Sequence, residues 1–252
     1  MSTTNPDSTR VIIVGAAGRM GTNLCAVAHQ SPHFQLVAAI TAQPVQQHSV
    51  NNDNSSPLLQ TNVNTDTYAD VVLDFSSDAG TRTALRIAEQ TNAALLIGTT
   101  ATSEQTRLQI EKTFLHRAVL IAPNTSLGVA LLHACARRAA QALGDAFQCS
   151  IVESHHKHKK DAPSGTALAL AQTLRDAGAT LEPDQILAMR GGEVVGEHTV
   201  RFAGPTEYIE LTHRALSRDV FVHGALTAAT WLKGRAPGMY SMDDILDINT
   251  RS

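Results

Sequence analysis

The chain contains few aromatic side chains and few cysteines, and its charges are nearly balanced. Its 252 residues include 1 Trp, 3 Tyr, 6 Phe and 3 Cys, and the formal net charge is −3 at pH 7. A nucleic-acid-binding surface needs a basic stripe or an aromatic platform, so the composition argues against nucleic acid as a partner. The length suits two modest domains and is ample for a sizeable buried core.

Long apolar runs are also missing. No stretch is long enough to cross a bilayer, and residues 1–10 are polar and lack the apolar centre of a signal peptide. Cys25, Cys135 and Cys149 are odd in number and stand among apolar residues, which predicts reduced core positions. We therefore expect no membrane partner and a cytoplasmic location.

A short apolar run followed by glycines opens the first domain. Residues 11–14 read Val-Ile-Ile-Val, the glycines are Gly15, Gly18 and Gly21, and apolar residues at helical spacing come next. This order predicts a strand, a tight turn and a helix whose free N–H groups face a pyrophosphate. The spacing GxxGxxG, in place of GxGxxG, makes the motif a weak signal by itself.

Apolar segments continue to alternate with helical patterns as far as residue 121. Strands are predicted at 36–40, 71–75, 93–97 and 119–121, with helices at 79–90 and 104–114. Such alternation is typical of an α/β fold with a doubly wound parallel sheet, whose ligand lies beyond the carboxyl ends of the strands. The polar segment from Gln43 to Thr67 predicts a mobile surface loop.

The pattern changes after Asn124. A long helix is predicted at 127–143, followed by strands at 147–152, 196–202 and 208–214 in which polar residues alternate with apolar ones. This change indicates a second, α+β domain with a largely antiparallel sheet. A further helix is predicted at 219–232, and a short terminal element at 239–246.

The segment 152–166 is the most informative part of the chain. It holds three histidines and three lysines on a loop that runs from a strand into a helix. Pro163 suits the first turn of that helix, and Ser164, Gly165 and Thr166 would then present unbonded N–H groups to a carboxylate or phosphate. A solvated basic face is the plain alternative. A metal site is disfavoured, because no cysteine lies near the histidines and the neighbouring positive groups would repel a cation.

Residues 153–167, ESHHKHKKDAPSGTA, closely resemble the signature E(A/S)HHxxKxDAPSGTA of bacterial 4-hydroxy-tetrahydrodipicolinate reductases. Other segments resemble that family in the same order: 15–21, 74–76, 98–100, 122–129, 195–199 and 202–205. The resemblance implies an NAD(P)H-dependent oxidoreductase of lysine and diaminopimelate biosynthesis, which reduces a small cyclic dicarboxylate to tetrahydrodipicolinate with loss of water. A nonenzymatic nucleotide-binding or regulatory homologue, and a reductase of another small imino acid, are the alternatives.

The same resemblance implies roles for individual residues. His155 would be the proton donor or would position it, with Lys159 as its cationic partner; a histidine with a pKa of about 6.5 suits proton donation. The implied substrate-binding residues are His156, Ser164, Gly165, Thr166 and Thr100. The implied cofactor-binding residues are Gly15, Ala16, Ala17, Gly18, Arg19, Met20, Gly98, Thr99, Thr100, Ala122, Pro123, Asn124 and Thr125. No metal ligands are implied.

The resemblance also implies an overall arrangement. Residues 1–126 and 219–252 would form a Rossmann-like dinucleotide-binding domain, and residues 127–218 a substrate-binding and oligomerisation domain of a homotetramer. The sequence departs from the family pattern in three places. Ala101 replaces a glycine, and the segment 175–188 is short. Thr41 and Ala42 replace the acidic residue and the Arg that often bind the cofactor ribose, so we expect NADH and NADPH both to serve as cofactors.

Overall fold

The computed structural model describes residues 7–43 and 59–247, which form two compact units. The first unit contains the described residues as far as Thr125 together with Phe221–Ile245, and the second contains Ser126–Val220 with residues 246–247. The chain thus passes from the first unit to the second one residue from the predicted boundary at 126, and returns two residues from the predicted boundary at 219. Residues 246–247 are grouped with the second unit, whereas the sequence places them in the first.

The strands and α-helices of the described residues have the following bounds. The strands are β1 (Thr9–Val14), β2 (Phe34–Ile40), β3 (Leu59–Gln60), β4 (Val71–Asp74), β5 (Ala94–Ile97), β6 (Ala118–Ile121), β7 (Gln148–His155), β8 (Ile186–Arg190), β9 (Gly196–Ala203), β10 (Tyr208–Ala215) and β11 (Gly238–Tyr240). The helices are α1 (Arg19–Gln30), α2 (Asp78–Thr91), α3 (Glu104–Thr113), α4 (Leu127–Leu143), α5 (Gly165–Asp176), α6 (Asp219–Leu232) and α7 (Met242–Ile245).

Seven strands of the first unit form a parallel sheet in the order β11-β6-β5-β4-β1-β2-β3. This confirms the predicted doubly wound parallel sheet. Val11, Ile12 and Ile13 are consecutive and fully buried, as expected for central parallel strands that are covered on both faces. The order reverses between β1 and β4, which is where such sheets bind ligands at the carboxyl ends of their strands.

Two glycines allow α1 to pack tightly behind β1. Gly15 has a φ of +86°, and a Cβ at this residue would lie 2.4 Å from the carbonyl oxygen of Phe75. A Cβ at Gly21 would lie 2.1 Å from the carbonyl oxygen of Gly15. The first glycine therefore makes the turn, and the third allows close packing of helix and strand.

The second unit contains a mixed four-stranded sheet in the order β10-β9-β7-β8. β7 pairs antiparallel with β9, and β9 with β10, while β8 runs parallel to β7. We call the face that carries Ile151, Val200 and Phe202 the inner face; these residues form one core with residues of α4 and α5. The strand β8 was not predicted. Only one of its side chains, that of Ile186, is buried, so the strand does not alternate between buried and exposed side chains.

Two further predictions are corrected by the structure. The predicted loop from Gln43 to Thr67 contains β3, which pairs with the end of β2, while residues 44–58 lie outside the described part of the chain. Cys135 is exposed on α4, unlike the buried Cys25 and Cys149, because it lies on the solvent-facing side of that helix with Leu131 and Arg138. Among the described residues, no helix is long and apolar enough to span a membrane.

Candidate active site

The glycine turn of the first unit lies at the carboxyl ends of β1 and β2. The N–H groups of Gly15 and Ala16 both donate to the carbonyl oxygen of Ile40, at 3.0 Å each, and the N–H of Gly18 donates to Gly15 at 2.9 Å. Ala17, Gly18 and Arg19 are exposed, and Met20 is half-buried. The turn thus presents backbone to the space beyond the sheet, as a dinucleotide diphosphate requires.

The start of α1 differs from the starts of α2, α3, α4 and α5. A serine precedes each of these four later helices, and its hydroxyl accepts a backbone N–H of the first turn; the serines are Ser77, Ser103, Ser126 and Ser164. The residue before α1 is Gly18, and no side chain caps this helix. Helix-start N–H groups without a side-chain acceptor suit an anion, so the backbone here fits a diphosphate.

Two neighbouring strands bring the remaining predicted cofactor residues to the same edge of the sheet. Gly98, Thr99 and Thr100 follow β5, residues 122–125 follow β6, and these two strands are paired. A Cβ at Gly98 would lie 2.1 Å from the ring of Phe75, so this glycine is required by packing. Thr100 and Pro123 are exposed, Gly98, Thr99 and Asn124 are half-buried, and Ala122 and Thr125 are buried.

Two of the predicted threonines make structural hydrogen bonds. The Thr99 hydroxyl accepts the N–H of Ser76 at 2.9 Å, and the Thr125 hydroxyl donates to the carbonyl oxygen of Phe221 at 2.6 Å. Among the described non-glycine residues, only Asn92 and Asp247 have a positive φ. Ala101 therefore sits in a conformation open to any residue, and the missing glycine causes no strain.

His155 is the centre of a buried polar cluster in the second unit. It ends β7 on the inner face and is 8% exposed, and its Nδ1 is hydrogen-bonded to Oε2 of Glu153, two residues earlier on the same face. Arg190, at the end of β8, donates to both carboxylate oxygens of Glu153, at 2.9 and 2.8 Å. The Ser164 N–H also donates to Glu153, at 3.0 Å. A fully buried carboxylate is thus bonded on several sides.

The pKa values follow from these contacts. Burial would raise the pKa of Glu153, but the hydrogen bonds from Arg190, His155 and Ser164 outweigh it and hold the pKa below its ordinary value. Burial lowers the pKa of His155, the positive charges of Lys159 and Arg190 lower it further, and Glu153 acts in the opposite direction. Glu153 is therefore an ionised acceptor, so Nδ1 of His155 carries a proton in the neutral ring.

Lys159 and His156 lie on the loop that leaves this cluster. The Lys159 ammonium is 2.8 Å from Oδ2 of Asp161, and the Lys159 N–H donates to the carbonyl oxygen of His156 at 3.1 Å. Nε2 of His156 is 3.3 Å from Nη2 of Arg218. The Lys159 side chain is 21% exposed, which leaves its ammonium partly accessible to a ligand.

The start of α5 differs from its prediction. Pro163 lies before the helix and not in its first turn, and Ser164 is the capping residue, whose hydroxyl accepts the N–H of Ala167 at 3.2 Å. The Ser164 N–H is bonded to Glu153 and is not available to a ligand. The helical residues begin at Gly165, where a Cβ would meet nothing within 4 Å. Packing therefore does not explain this glycine, whereas close approach of a ligand would.

Three residues of the cluster were not predicted as part of the site: Glu153, Arg190 and His198. His198 pairs with Glu153 across β7 and β9, its ring centroid is 5.1 Å from that of His155, and its Nε2 is 3.3 Å from the Ser164 hydroxyl. Burial lowers the pKa of His198 to about 4, with His155 adding to the effect. The sequence signal for Glu153 was its i, i+2 spacing to His155 on a strand, whereas Arg190 required knowledge of the strand pairing.

The sequence matches two family models that together cover most of the chain. Residues 9–125 match the model described as "Dihydrodipicolinate reductase, N-terminus", and residues 128–246 match "Dihydrodipicolinate reductase, C-terminus". A curated relative from Stenotrophomonas maltophilia (strain R551-3), named 4-hydroxy-tetrahydrodipicolinate reductase, is 43% identical over 96% of this chain and 99% of its own length. A relative of the same name from Aquifex aeolicus is 40% identical over 96% and 100%.

Solved structures show the same fold. A dipicolinate-bound dihydrodipicolinate reductase from Paenisporosarcina sp. TG-14 has a TM-score of 0.77 at 23% identity, covering 94% of this chain and 99% of that one. A Corynebacterium glutamicum DAP dehydrogenase has a TM-score of 0.55 at 13% identity, with 98% and 97% covered. From the two family models and the high identity of its full-length relatives, the chain belongs to the dihydrodipicolinate reductase family.

Proposed function

We propose that the chain catalyses the NAD(P)H-dependent reduction of 4-hydroxy-tetrahydrodipicolinate to tetrahydrodipicolinate, with loss of water, in lysine and diaminopimelate biosynthesis. The observation that carries the proposal is the buried cluster around His155, which stands at the start of the family's most specific motif. Its Nδ1 is held by Glu153, so only Nε2 remains for a substrate. A histidine held in this way suits a proton donor.

The proposed chemistry needs a proton as well as a hydride. When bound, NADH or NADPH supplies the hydride, and the electron density left on the conjugated ring must then be protonated at a carbon. His155 would hold that proton on Nε2 and deliver it there. Burial keeps the pKa of His155 below its ordinary value, which makes the charged ring a stronger acid.

Lys159, His156 and the start of α5 would bind the substrate. The Lys159 ammonium, which pairs with Asp161, would stabilise the negative charge that develops on the ring. His156, Gly165 and Thr166 would bind the carboxylates, aided by the positive end of the helix dipole. Because the N–H of Ser164 is already used, Ser164 would contribute through the helix start that it caps. Thr100 is a further substrate-binding residue that the family resemblance implies.

The first unit would hold the cofactor. Gly15, Gly18 and Arg19, together with the uncapped start of α1, would surround the diphosphate. Gly98, Thr100, Ala122 and Asn124 would line the nicotinamide half. We infer that NADH and NADPH both serve, since Thr41 and Ala42 carry neither the acidic side chain that favours NADH nor the arginine that favours NADPH.

A homotetramer formed through the outer face of the second sheet completes the proposal. On that face Leu187, Met189 and Tyr208 are 54%, 59% and 63% exposed. Large apolar side chains on a sheet face are commonly covered by a partner, here a second copy of the chain.

A direct assay tests the proposed reaction. Purified protein is mixed with freshly generated 4-hydroxy-tetrahydrodipicolinate, and oxidation of NADH and of NADPH is followed by ultraviolet absorbance. We expect oxidation with both nucleotides that depends on this substrate. No oxidation, with nucleotide binding intact, would contradict the proposal and favour a regulatory role. Oxidation with a different imino acid alone would retain the enzyme class but change the substrate.

A further inference from the structure

Glu153 does more than fill the interior of the second unit. It is fully buried, and its carboxylate contacts three different parts of the chain: His155 on its own strand, Arg190 on the neighbouring strand and the Ser164 N–H at the start of α5. Each partner points a donor at the carboxylate. A charge that is buried so completely is stable only when it is bonded this thoroughly.

The carboxylate fixes which ring nitrogen of His155 is free. An ionised carboxylate is only an acceptor, so Nδ1 of His155 must be the donor, and Nε2 is left bare in the neutral ring. Nε2 lies beside Gly196 of β9, since a Cβ on that residue would be 3.1 Å from it. The absence of a side chain at 196 thus leaves room for the ring, and the Glu153 contact keeps it in this orientation.

Arg190 in turn fixes the carboxylate. Its guanidinium makes a bidentate contact that holds both carboxylate oxygens of Glu153. Nη2 of Arg190 also donates to the carbonyl oxygen of Asp161 at 2.6 Å. Asp161 is the residue that pairs with Lys159. One arginine therefore ties the carboxylate that orients His155 to the loop that carries the lysine.

We propose that Glu153 is a positioning residue for the reductase reaction, held by Arg190, which fixes His155 with Nδ1 bonded and Nε2 directed to the substrate. The proposal rests on the proposed function for the identity of the reaction. The arrangement resembles a catalytic triad in logic, since a buried carboxylate orients the imidazole that exchanges the proton. Glu153 itself touches neither substrate nor cofactor in this account.

The charged and titratable groups around His155 determine the expected pH behaviour. They are Glu153 on β7, Arg190 on β8, His198 on β9 and Lys159 on the loop. Glu153 raises the pKa of His155, while Lys159 and Arg190 lower it. Removing the charge of Glu153 must therefore lower this pKa. Because the proton donor must be protonated, the pH above which kcat falls should move to a lower value.

The test compares Glu153→Gln with Glu182→Gln in the full-length protein. Glu182 is the control, since it is an exposed glutamate of the second unit that precedes β8 and lies outside the His155 cluster and outside the strands of the sheet. For Glu153→Gln we expect kcat to fall roughly 10²-fold, the nucleotide KM to stay within about twofold, and the pH profile to move to lower pH. Glu182→Gln should keep both kcat and the profile. A uniform loss of kcat with an unmoved profile would overturn the positioning role, as would unchanged kcat.

Nitrogen-15 NMR of histidine-labelled protein separates this inference from the proposed function. In the wild type, with His155 identified by its absence in His155→Gln, the neutral ring should carry its proton on Nδ1. A proton on Nε2 would overturn the inference, whatever the activity, and also if Glu153→Gln does not fold. If the Nδ1 proton is found but the reductase assay is silent, the positioning stands and the proposed reaction is wrong.

Discussion

At the scale of single residues, the chemistry of the second unit depends on how charges are distributed around one imidazole. Burial and the nearby cations lower the pKa of His155, and Glu153 partly offsets this by stabilising the charged ring. His198, at the same face, has its pKa lowered to about 4 by burial and by His155. His198 is thus neutral near pH 7 and adds no further positive charge beside His155.

The first prediction concerns His155 and Lys159. His155→Gln and Lys159→Ala should each lower kcat by roughly 10²-fold or more, because one removes a positioned acid and the other an electrostatic stabiliser. Nucleotide affinity, measured by fluorescence titration, should stay near that of the wild type. His158→Gln is the control, since His158 is exposed on the same loop and has no assigned role. Turnover within a few-fold of wild type in both variants would refute the roles given to these two residues.

The second prediction concerns nucleotide choice. Thr41 follows β2, its N–H donates to the carbonyl oxygen of Gln60 at 2.8 Å, and Ala42 is exposed next to it. Neither residue distinguishes the two riboses, so kcat/KM should differ by about tenfold or less between NADH and NADPH, roughly 1.4 kcal/mol. Thr41→Glu should shift the ratio toward NADH, and Ala42→Arg toward NADPH.

Steady-state kinetics with each nucleotide check this second prediction. Added salt should weaken any NADPH preference, since the exposed Arg19 on the glycine turn would contact a 2′-phosphate and such contacts are screened. A wild-type ratio above about a hundredfold in either direction would show that another residue reads the ribose.

At the scale of elements, the start of α5 both contacts the His155 cluster and leaves space for a ligand. Ser164 caps the helix and bonds Glu153, so a single residue connects the helix start to the His155 cluster. Gly165 follows with open space where a side chain would stand. The helix therefore has its cap and also an unobstructed first turn.

The third prediction uses that open space. Gly165→Ala should leave the melting temperature unchanged or raise it, because alanine is the better helix former and meets no neighbour. The added methyl group should hinder the approach of the substrate carboxylate to the helix start. The substrate KM should then rise by roughly tenfold, which corresponds to about 1.5 kcal/mol of binding free energy from a charge-assisted hydrogen bond. Thermal melting and steady-state kinetics measure the two effects. An unchanged KM would show that the carboxylates bind elsewhere.

Elements with a regular pattern could be predicted from the sequence. α4 and α6 have their predicted bounds, because long apolar periodicity defines them, and for α4 a serine cap at Ser126 fixes its start. β3 was missed, and β11 was predicted only as part of a short terminal element at 239–246, because these strands are two and three residues long and lie at the edges of the sheet. Their existence depends on pairing with β2 and β6 and not on their own residues.

The site was predictable only where one segment of the chain carries it. The family motif around His155 carries the proposed catalytic residues and the start of α5 in a single run. The contact between Glu153 and Arg190 joins residues on separate strands, and nothing in the local pattern of residues 175–190 indicates that they pair. Long-range strand pairing of this kind is what local sequence patterns cannot supply.

At the scale of the whole molecule, the fourth prediction concerns assembly. Sedimentation at micromolar concentration should show a tetramer. Leu187→Glu together with Met189→Glu should weaken it, because both residues lie on the outer face of the second sheet and are more than half exposed in a single chain. Leu168→Glu, at an exposed apolar residue of α5, is the control. A wild-type protein that stays monomeric would contradict the assembly and leave the catalytic proposals unaffected.

The central claim is that this chain reduces a cyclic dicarboxylate with a hydride from a nicotinamide nucleotide and a proton delivered by His155. The most direct measurement uses NADH with deuterium at the transferable position and determines the product by mass spectrometry. The account predicts a product that has gained a single deuterium, formed at a rate that falls roughly 10²-fold in His155→Gln. A product without deuterium, or no product from the folded wild type, would contradict it.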